Sequence, residues 1–285
     1  MPSQRDELPG SETISVSVLM ATYNRADATE RCLRSLLKAA SSTEVSLQLF
    51  LTDATSGDDT IARVKSLFPD ARIQLRSSET FWASGMRSSW ESSQGARADC
   101  VLWLNDDVVL DTDALTRAFD LYRKFDGGAI IGGATRSSTG VLSYGGYIRG
   151  PIFKRMSFRR LEMSGSVQKC DALNGNFLIS PAPIDSRLRG FPADFSHSMA
   201  DFDYTLRASR TKVAVALLPG TVGTCEPNPP RAVLGSSNVI ERLKNRVSKK
   251  ELPVKDWFTF CLRHGGIAAP IYFVKPYAEQ LYSRS

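Results

Sequence analysis

The chain has 285 residues, of which 42% are hydrophobic and 23% charged, and a net charge of +6. Since a domain usually has roughly 100–200 residues, this length predicts one large domain or two small ones with a self-sufficient core. The composition excludes collagen-like and wholly disordered chains, and no apolar run reaches the roughly 18 residues of a membrane span. The first residues show no basic start and no apolar stretch, so we expect no signal peptide.

The cysteines and histidines also limit the chemistry. The five cysteines are scattered and form no CxxC pair, which disfavours disulfides and a zinc site and fits a reducing compartment. We expect them to be small core residues and the protein to be cytoplasmic. Only two histidines are present, which restricts histidine-based metal or triad chemistry.

The first half of the chain alternates between strand and helix patterns after a polar segment, 1–12, that we expect to be disordered. Predicted strands cover 14–20, 45–51, 72–75, 100–104 and 129–131. Predicted helices start at Asp27 and at Asp58 or Asp59, and cover 84–94 and 112–122. This alternation predicts an α/β fold with a mainly parallel, Rossmann-like sheet and flanking helices.

The second half is less regular. The glycine-rich stretch 127–150 predicts hairpins, and a turn into a strand (172–180), a helix (199–210) and a late strand (212–218) follow. A proline-rich linker at 227–230 then leads to two predicted helices, 233–248 and 254–264. We therefore expect a helical extension over 227–285.

Three predicted strands end in polar segments, 21–25, 52–56 and 105–107. Because ligands bind beyond the carboxyl ends of parallel strands, we expect these segments to converge on one crevice. Asp106 and Asp107 follow an apolar strand, where carboxylates cost desolvation unless they bind a cation or hydrogen-bond donors. Mg²⁺ or Mn²⁺ with a diphosphate would meet that demand. The alternative is that one of the two acids caps the next helix.

A second acidic pair, Asp201 and Asp203, opens the predicted helix 199–210. The positive end of a helix dipole keeps a carboxylate ionised there and available as a proton acceptor. The alternative is the ordinary preference for acids in a first helical turn.

Together these segments resemble the inverting glycosyltransferases of family 2, which have the GT-A fold, and in particular bacterial polysaccharide enzymes of the rhamnosyltransferase type. The resemblance spans Ile14 to Glu226, and it implies a catalytic domain over 13–226 with a nucleotide-binding half (13–110) and an acceptor half (111–226). It rests on the order and spacing of six motifs, SVLMATYNR, LTDATSGD, FWASGMR, WLNDDV, LNGNFLIS and HSMADFDYTLRA.

The resemblance implies a role for each matched residue. Asp107 would hold Mg²⁺ or Mn²⁺, and Asp201 would be the general base. The nucleotide sugar would meet Thr22, Tyr23, Arg25, Asp53, Arg87, Asn105 and Asp106, with Asp53 on the base. Support on the acceptor side would come from Asp203, His197, Asn174, Gly175, Asn176 and Trp82. Three of these residues have structural alternatives: backbone geometry for Gly175, helix entry for His197 and core packing for Trp82.

One departure concerns the metal. Many relatives have a histidine after the late strand, whereas this chain has Cys225, and thiolate is a poor ligand for Mg²⁺. Water, His197 or Glu226 could replace the histidine, or Asp107 and phosphates alone could hold the metal.

The positive charge is concentrated near the C-terminus, where ten Lys and Arg against four Asp and Glu from residue 231 onward give +6. Mixed with aromatic residues, this pattern suits an interfacial helix on anionic lipid, and equally packing on the catalytic domain or a dimer partner.

The sequence therefore predicts transfer of a sugar from a nucleoside-diphosphate sugar to a glycan hydroxyl, with a lipid-linked glycan of a surface polysaccharide as the expected acceptor. A sugar nucleotidyltransferase is the first alternative, but its phosphate loop should be glycine-rich and 21–28 is not. A basic adaptor for nucleic acid or membrane is the second, and it leaves the placed carboxylates unexplained. We expect no nucleic-acid partner, and an anionic membrane surface and the oligomeric state remain open.

Overall fold

The computed structural model describes residues 13–228 and 252–282. Its strands are β1 (Ile14–Thr22), β2 (Val45–Asp53), β3 (Arg72–Leu75), β4 (Cys100–Leu104), β5 (Val109–Leu110), β6 (Ala129–Arg136), β7 (Leu142–Tyr144), β8 (Gly146–Arg149), β9 (Phe158–Arg160), β10 (Gln168–Lys169), β11 (Ala172–Leu173), β12 (Phe177–Pro181) and β13 (Ala214–Thr224). Its α-helices are α1 (Ala26–Ala40), α2 (Thr60–Leu67), α3 (Trp82–Ser93), α4 (Ala114–Lys124), α5 (Ala182–Leu188), α6 (Ala200–Arg210), α7 (Val254–His264) and α8 (Ala269–Tyr282).

The predicted alternation of strands and helices is confirmed. Strands β3 and β4 and helix α7 have the bounds that the sequence predicts. β6 and β13 continue to Arg136 and Thr224, well beyond the predicted ends at 131 and 218, and most other elements agree within a few residues. β4 is buried along its whole length, as expected for an unbroken apolar run. The predicted helix 233–248 and the segment 1–12 lie outside the described residues.

The start of α1 differs from the prediction that Asp27 caps it. The helix begins at Ala26, with Arg25 in the N-cap position and no side-chain cap, and the Asp27 carboxylate lies 2.7 Å from Arg63. Asp58 instead accepts hydrogen bonds from the N–H groups of Ala26 and Thr60, each at 3.1 Å. One carboxylate therefore joins the starts of α1 and α2, a contact that local sequence does not reveal.

The strands form one large mixed sheet in the order β10-β13-β6-β12-β4-β1-β2-β3. β1 is parallel to β2 and β4, β2 is parallel to β3, and β6 is parallel to β13. β12 is antiparallel to both of its neighbours, β4 and β6. A separate antiparallel sheet, β11-β8-β9, comes from the hairpin region. The result is the mainly parallel sheet of the GT-A fold.

Helices cover both faces of the large sheet, because its strands carry apolar side chains on both. α1, α2 and α4 pack on one face, where Val18 and Leu102 belong to the same cluster. α3, α5, α6 and α7 pack on the other face, around Trp103 and Leu178. All five cysteines are free and buried, as the sequence predicts.

The C-terminal helices pack against the rest of the protein. Phe260 of α7 is fully buried, and its ring centroid lies 6.3 Å from that of Phe158 in β9. α8 packs on α7, with the Phe258 and Phe273 rings 5.2 Å apart. Of the two predictions left open for this segment, packing on the catalytic domain is thus observed for α7. Within 13–228 and 252–282, no helix combines the length and apolarity needed to cross a bilayer.

Candidate active site

The three polar strand ends converge as predicted. β4, β1 and β2 are adjacent and parallel, so the residues that follow them lie at one edge of the sheet. The loops after β1 and β2 are joined directly: the Gly57 N–H donates to Asn24 Oδ1 at 2.7 Å, and the Asn24 N–H donates to Ser56 Oγ at 2.8 Å. This edge forms the floor of the candidate site.

The acidic pair after β4 lies on this floor. Asp106 is 5% exposed and accepts a hydrogen bond from Thr22 Oγ1 at 2.9 Å. The Arg25 guanidinium bridges the pair, at 3.0 Å from Asp106 and 2.8 Å from Asp107. Burial raises the pKa of Asp106 to about 6, although the charge of Arg25 opposes the shift. Neither acid caps a helix, because β5 follows them.

The chemistry of the pair fits a hard divalent cation. Two carboxylates are brought together, and the positive guanidinium between them shows that this position favours positive charge. In the described part of the chain no group of three or more His, Cys, Asp or Glu side chains could by itself enclose a metal ion. Mg²⁺ commonly binds in this open manner, through one or two carboxylates and the phosphates of a substrate.

Cys225 lies beside Asp106 and Asp107, at the position where many of the relatives have a histidine. Its Sγ lies 3.4 Å from Asp107 Oδ1 and also accepts a hydrogen bond from Asn176 Nδ2 at 3.4 Å. Burial, followed by the charge of Asp107, raises the pKa of this thiol. Cys225 is therefore a neutral hydrogen-bond donor to Asp107. Glu226, the proposed substitute ligand, accepts a hydrogen bond from the Ser138 N–H at 2.6 Å.

Asn105 connects the acidic pair to the acceptor-side residues. Its Oδ1 accepts a hydrogen bond from Trp82 Nε1 at 2.7 Å, and its Nδ2 donates to Asn176 Oδ1 at 3.1 Å. Trp82 is only partly buried, and its ring packs edge-on against Phe191 at 5.6 Å. Trp82 thus contacts the site residue Asn105 on one side and packs against the core on the other. Its position is compatible with a role in the site and with core packing.

Gly175 occupies a position that leaves no space for a side chain. A Cβ there would lie 2.7 Å from Trp82 and 3.4 Å from the Asp201 Cβ. Its N–H donates to Asp201 Oδ2 at 3.0 Å. The glycine therefore allows the backbone to approach the carboxylate closely, which agrees with the backbone interpretation of this residue.

Asp201 lies at the start of α6, on the other side of Gly175 from Asn105. It is partly buried, and its Oδ1 accepts a hydrogen bond from the Phe202 N–H at 2.8 Å. Burial raises the pKa of Asp201, while hydrogen bonds from Gly175, Phe202 and the Asn174 side chain lower it in part. A raised pKa makes this carboxylate a stronger proton acceptor than an ordinary aspartate.

Residues 17–181 match the family model described as Glycosyl transferase family 2. The chain belongs to this family. It is therefore a glycosyltransferase, of a family that uses nucleotide-sugar donors and glycan acceptors. No curated protein matched the sequence significantly.

Two solved structures support the GT-A fold of this glycosyltransferase. The mannosyltransferase PcManGT from Pyrobaculum calidifontis, in complex with GDP-Man and Mn²⁺, aligns with 94% of this chain and 70% of its own, at 17% identity and a TM-score of 0.54. TarS of S. aureus, residues 1–349, aligns with 74% of this chain and 59% of its own, at 14% identity and a TM-score of 0.52. At these identities the likeness shows the fold alone.

Asp203 faces away from the cleft, toward α7. It is fully buried, and His264 Nε2 and Arg207 Nε lie 2.9 and 2.8 Å from its oxygens. Burial alone would raise the pKa of Asp203, but the His264 hydrogen bond and the Arg207 and Arg263 charges outweigh it and lower the pKa. This residue therefore anchors α6, the helix that carries Asp201, to α7.

Asp256 is a site-supporting residue that sequence reasoning missed. It is fully buried in α7 and accepts hydrogen bonds from the N–H groups of Ser196, His197 and Ser198 at 2.9–3.2 Å. These residues form the loop that leads through Met199, which has a φ of 67°, into the helix of Asp201. The one sequence signal for Asp256 is that it is an isolated acid in a mainly apolar helix.

His197 lies in the loop that Asp256 holds. Its ring packs edge-on against Phe81 with centroids 5.7 Å apart. The loop also contacts the start of α3, since the Ser84 N–H donates to the Ser196 carbonyl at 3.2 Å. This position at the entry to α6 agrees with the helix-entry interpretation of His197.

Three predicted donor-side residues are less directly connected to the acidic pair. Asp53 is fully buried, and its two oxygens accept hydrogen bonds from the Ser56 N–H and Oγ at 2.6 Å, so a contact with a base would require this loop to open. Tyr23 is exposed beside Arg25. Arg87 pairs with Glu91 at 2.7 Å, one turn further along α3.

Replacing Asp256 with Ala should destabilise the protein. The substitution leaves three partly buried N–H groups of the loop 196–198 without their acceptor, so we expect a loss of about 3 kcal/mol in the free energy of unfolding. Denaturant unfolding followed by circular dichroism measures it. Lys255→Ala, which changes the exposed neighbour on the same helix, is the matched control. Equal stabilities of the two variants would contradict the anchoring role.

Replacing Arg25 with Met should strengthen binding of Mn²⁺ to the protein without nucleotide. The cation then no longer competes with a guanidinium for Asp106 and Asp107, and we expect about a five- to tenfold gain in affinity. Titration followed by the EPR signal of free Mn²⁺ measures this directly. Arg34→Met removes an exposed guanidinium from α1 and should change nothing. Unchanged or weaker binding by the Arg25 variant would show that the guanidinium does not occupy the position of the cation.

Proposed function

We propose that this protein is an inverting hexosyl- or deoxyhexosyltransferase that moves a sugar from a nucleoside-diphosphate sugar to a glycan hydroxyl in one displacement. The observation that carries the proposal is the contact path from the acidic pair to Asp201. It runs from Asn105 through Asn176 and Trp82 to Gly175, which donates its N–H to Asp201. Charge stabilisation and proton acceptance are thus available in one cleft.

On the donor side, Asp107 would hold Mg²⁺ or Mn²⁺, with Asp106 beside it on the sugar or ribose. When bound, the cation offsets the charge that develops on the leaving diphosphate. Thr22, which donates a hydrogen bond to Asp106, holds that carboxylate in place. Arg25, with 46% of its side chain exposed, is free to turn from the acids toward the diphosphate.

The rest of the nucleotide would lie over the loops that follow β1 and β2. Tyr23 is exposed there and offers a ring on which a base can stack. Asp53 shapes the second loop through Ser56, and Arg87 on α3 adds a cation at its border. These three assignments follow the resemblance, and contacts with the acidic pair do not support them further.

On the acceptor side, Asp201 would take the proton of the attacking hydroxyl. The hydroxyl oxygen then bonds to the anomeric carbon from the face opposite the leaving diphosphate, which inverts that carbon. General-base assistance of this kind typically contributes about 10²–10⁴-fold to the rate. Asn174 and Asn176 border the space where the acceptor would lie, and Asp203 positions the helix of the base from behind.

The proposed acceptor is a lipid-linked glycan used in surface polysaccharide synthesis, such as an O-antigen. This part of the proposal rests on the resemblance to bacterial family members. It implies a cytoplasmic enzyme that works at the inner face of the cytoplasmic membrane, with no nucleic-acid partner.

Donor binding and turnover should respond differently to two substitutions. In a thermal-shift panel of nucleoside diphosphates and their sugars, we expect stabilisation that depends on Mn²⁺, because Asp107 needs the cation to accept a diphosphate. Asp107→Asn should remove the Mn²⁺-dependent part. Asp201→Asn should keep it but lower sugar transfer by at least about 10²-fold, because only the base is lost.

Asp120→Asn changes an exposed carboxylate on α4 and serves as the control for both variants. Full turnover by Asp201→Asn would refute the base assignment. Release of pyrophosphate from a nucleoside triphosphate and a sugar phosphate would instead favour a nucleotidyltransferase.

The pH profile of turnover should report the environment of Asp201. The base acts when ionised, and burial raises its pKa, so the rate should fall with decreasing pH at values above the ordinary pKa of about 3.9. Protonation of Asp106, whose pKa burial raises to about 6, also weakens donor binding as the pH falls. Measuring kcat at saturating donor and Mn²⁺ separates the two effects. A kcat that stays flat down to pH 4 would contradict the assignment.

A further inference from the structure

Large apolar side chains project into solvent at two neighbouring turns. One group lies between β8 and β9, where Ile152 and Phe153 are 73% and 74% exposed. The other lies around the turn from α7 to α8, where Ile267 is fully exposed and Ile271 is 70% exposed. We call these four residues the turn-tip patch. Apolar groups exposed to this degree at adjacent positions usually mark a surface that another body covers.

The two turns are joined to each other by specific contacts. Tyr272 donates its hydroxyl to the Phe153 carbonyl at 3.1 Å. Arg149 donates to the Arg155 carbonyl at 2.7 Å and also to the His264 carbonyl. A Cβ on Gly266 would lie 3.4 Å from the Arg155 guanidinium. The turn-tip patch is thus a single surface built from both segments.

Exposed basic side chains lie on the two segments that carry this surface. Lys154 and Arg159 are exposed on the first segment, and Lys255 and Lys275 on the second. Within the described stretches 150–160 and 252–279, the acids are the fully buried Asp256 and Glu279, which lies 3.9 Å from Lys275. An apolar centre with a basic border matches the boundary between headgroups and acyl chains of an anionic bilayer.

We propose that the turn-tip patch docks this glycosyltransferase on an anionic lipid bilayer, with Ile152, Phe153, Ile267 and Ile271 entering the acyl region and the lysines meeting the headgroups. This proposal rests on the proposed function in one respect, since docking would give the enzyme access to a lipid-linked acceptor. Binding to lipid itself can be measured without any sugar transfer.

The basic border argues against a second copy of the chain as the occupant. In a twofold dimer the same surface meets itself, so the basic residues of one copy would face the equally basic surface of the other. Lipid headgroups supply negative charge instead. The apolar residues also lie at turn tips, which suits insertion between lipids better than packing on a flat protein face.

Docking through this surface would place the acceptor half of the site toward the lipid. The sheet that carries Phe153 packs on the base helix, because the Tyr147 and Phe158 rings lie 4.9 and 5.2 Å from that of Phe202. Phe202 directly follows Asp201. Side chains of this sheet therefore connect the turn-tip patch to the helix that carries Asp201.

The test is flotation of the full chain with vesicles of phosphatidylcholine alone and of phosphatidylcholine with phosphatidylglycerol. We expect binding that requires phosphatidylglycerol. Ile267→Ser with Ile271→Ser should lower the partition coefficient by at least about tenfold. Lys154→Glu with Lys255→Glu should lower it by about fivefold or more for each lysine, and added salt should have the same effect.

Val141→Ser with Leu75→Ser removes two exposed apolar side chains from other parts of the surface and should leave binding unchanged. Thermal melts and Mn²⁺-dependent stabilisation by nucleoside diphosphates should stay the same in all these variants, which separates a failure of docking from a failure of the proposed function. Lack of vesicle binding, equal binding by the serine variant, or a dimer in light scattering that this variant disperses without any vesicle binding would overturn the proposal.

Discussion

The arrangement of the candidate site depends on one constraint, which is that carboxylates beside a buried sheet must be compensated. A carboxylate in such a place must receive hydrogen bonds or positive charge, since desolvation otherwise makes its ionised form costly. Asp203 receives positive charge and hydrogen bonds from α7 and from its own helix, α6. Asp256 receives hydrogen bonds from the loop before α6. Both carboxylates therefore hold the structure together. Asp107 and Asp201 are only partly buried, and they are the two carboxylates for which we propose a direct role toward the cation and the acceptor. The same chemistry thus gives four aspartates two kinds of task.

Local sequence patterns predicted the parts of the site that depend on strand ends. The unbroken apolar run of β4 and the alternation around it were enough to place Asn105, Asp106 and Asp107 at the edge where β1 also ends. Parallel topology does the rest, because it brings all carboxyl ends to one side. Asp201 was found for a similar reason: an acid at a helix start is a local signal.

Contacts between distant segments were outside the reach of such reasoning. Asp256 meets a loop about 60 residues earlier in the chain, and the apolar pattern of its helix is equally compatible with packing and with a membrane surface. Asp203 points toward α7 because His264 lies there to pair with it. The sequence of α6 alone does not show which packed helix an acid at its start will face. The place of Cys225 beside Asp107 was clear only from the resemblance, while its role as a neutral donor follows from its burial.

The antiparallel strand β12 has a consequence for how the enzyme can adapt to ligands. It begins where β4 ends, with Phe177 paired to Leu104, and the Asn105 N–H continues this ladder to the Asn176 carbonyl at 3.2 Å. A slip of one residue would turn every side chain of β12 to the opposite face, so this register is strongly held by the core. The Asn105 side, which we propose for the donor, and the Asn176 side, which we propose for the acceptor, are therefore held together by backbone pairing along this seam. Accommodation of different sugars is left to the loops above that seam.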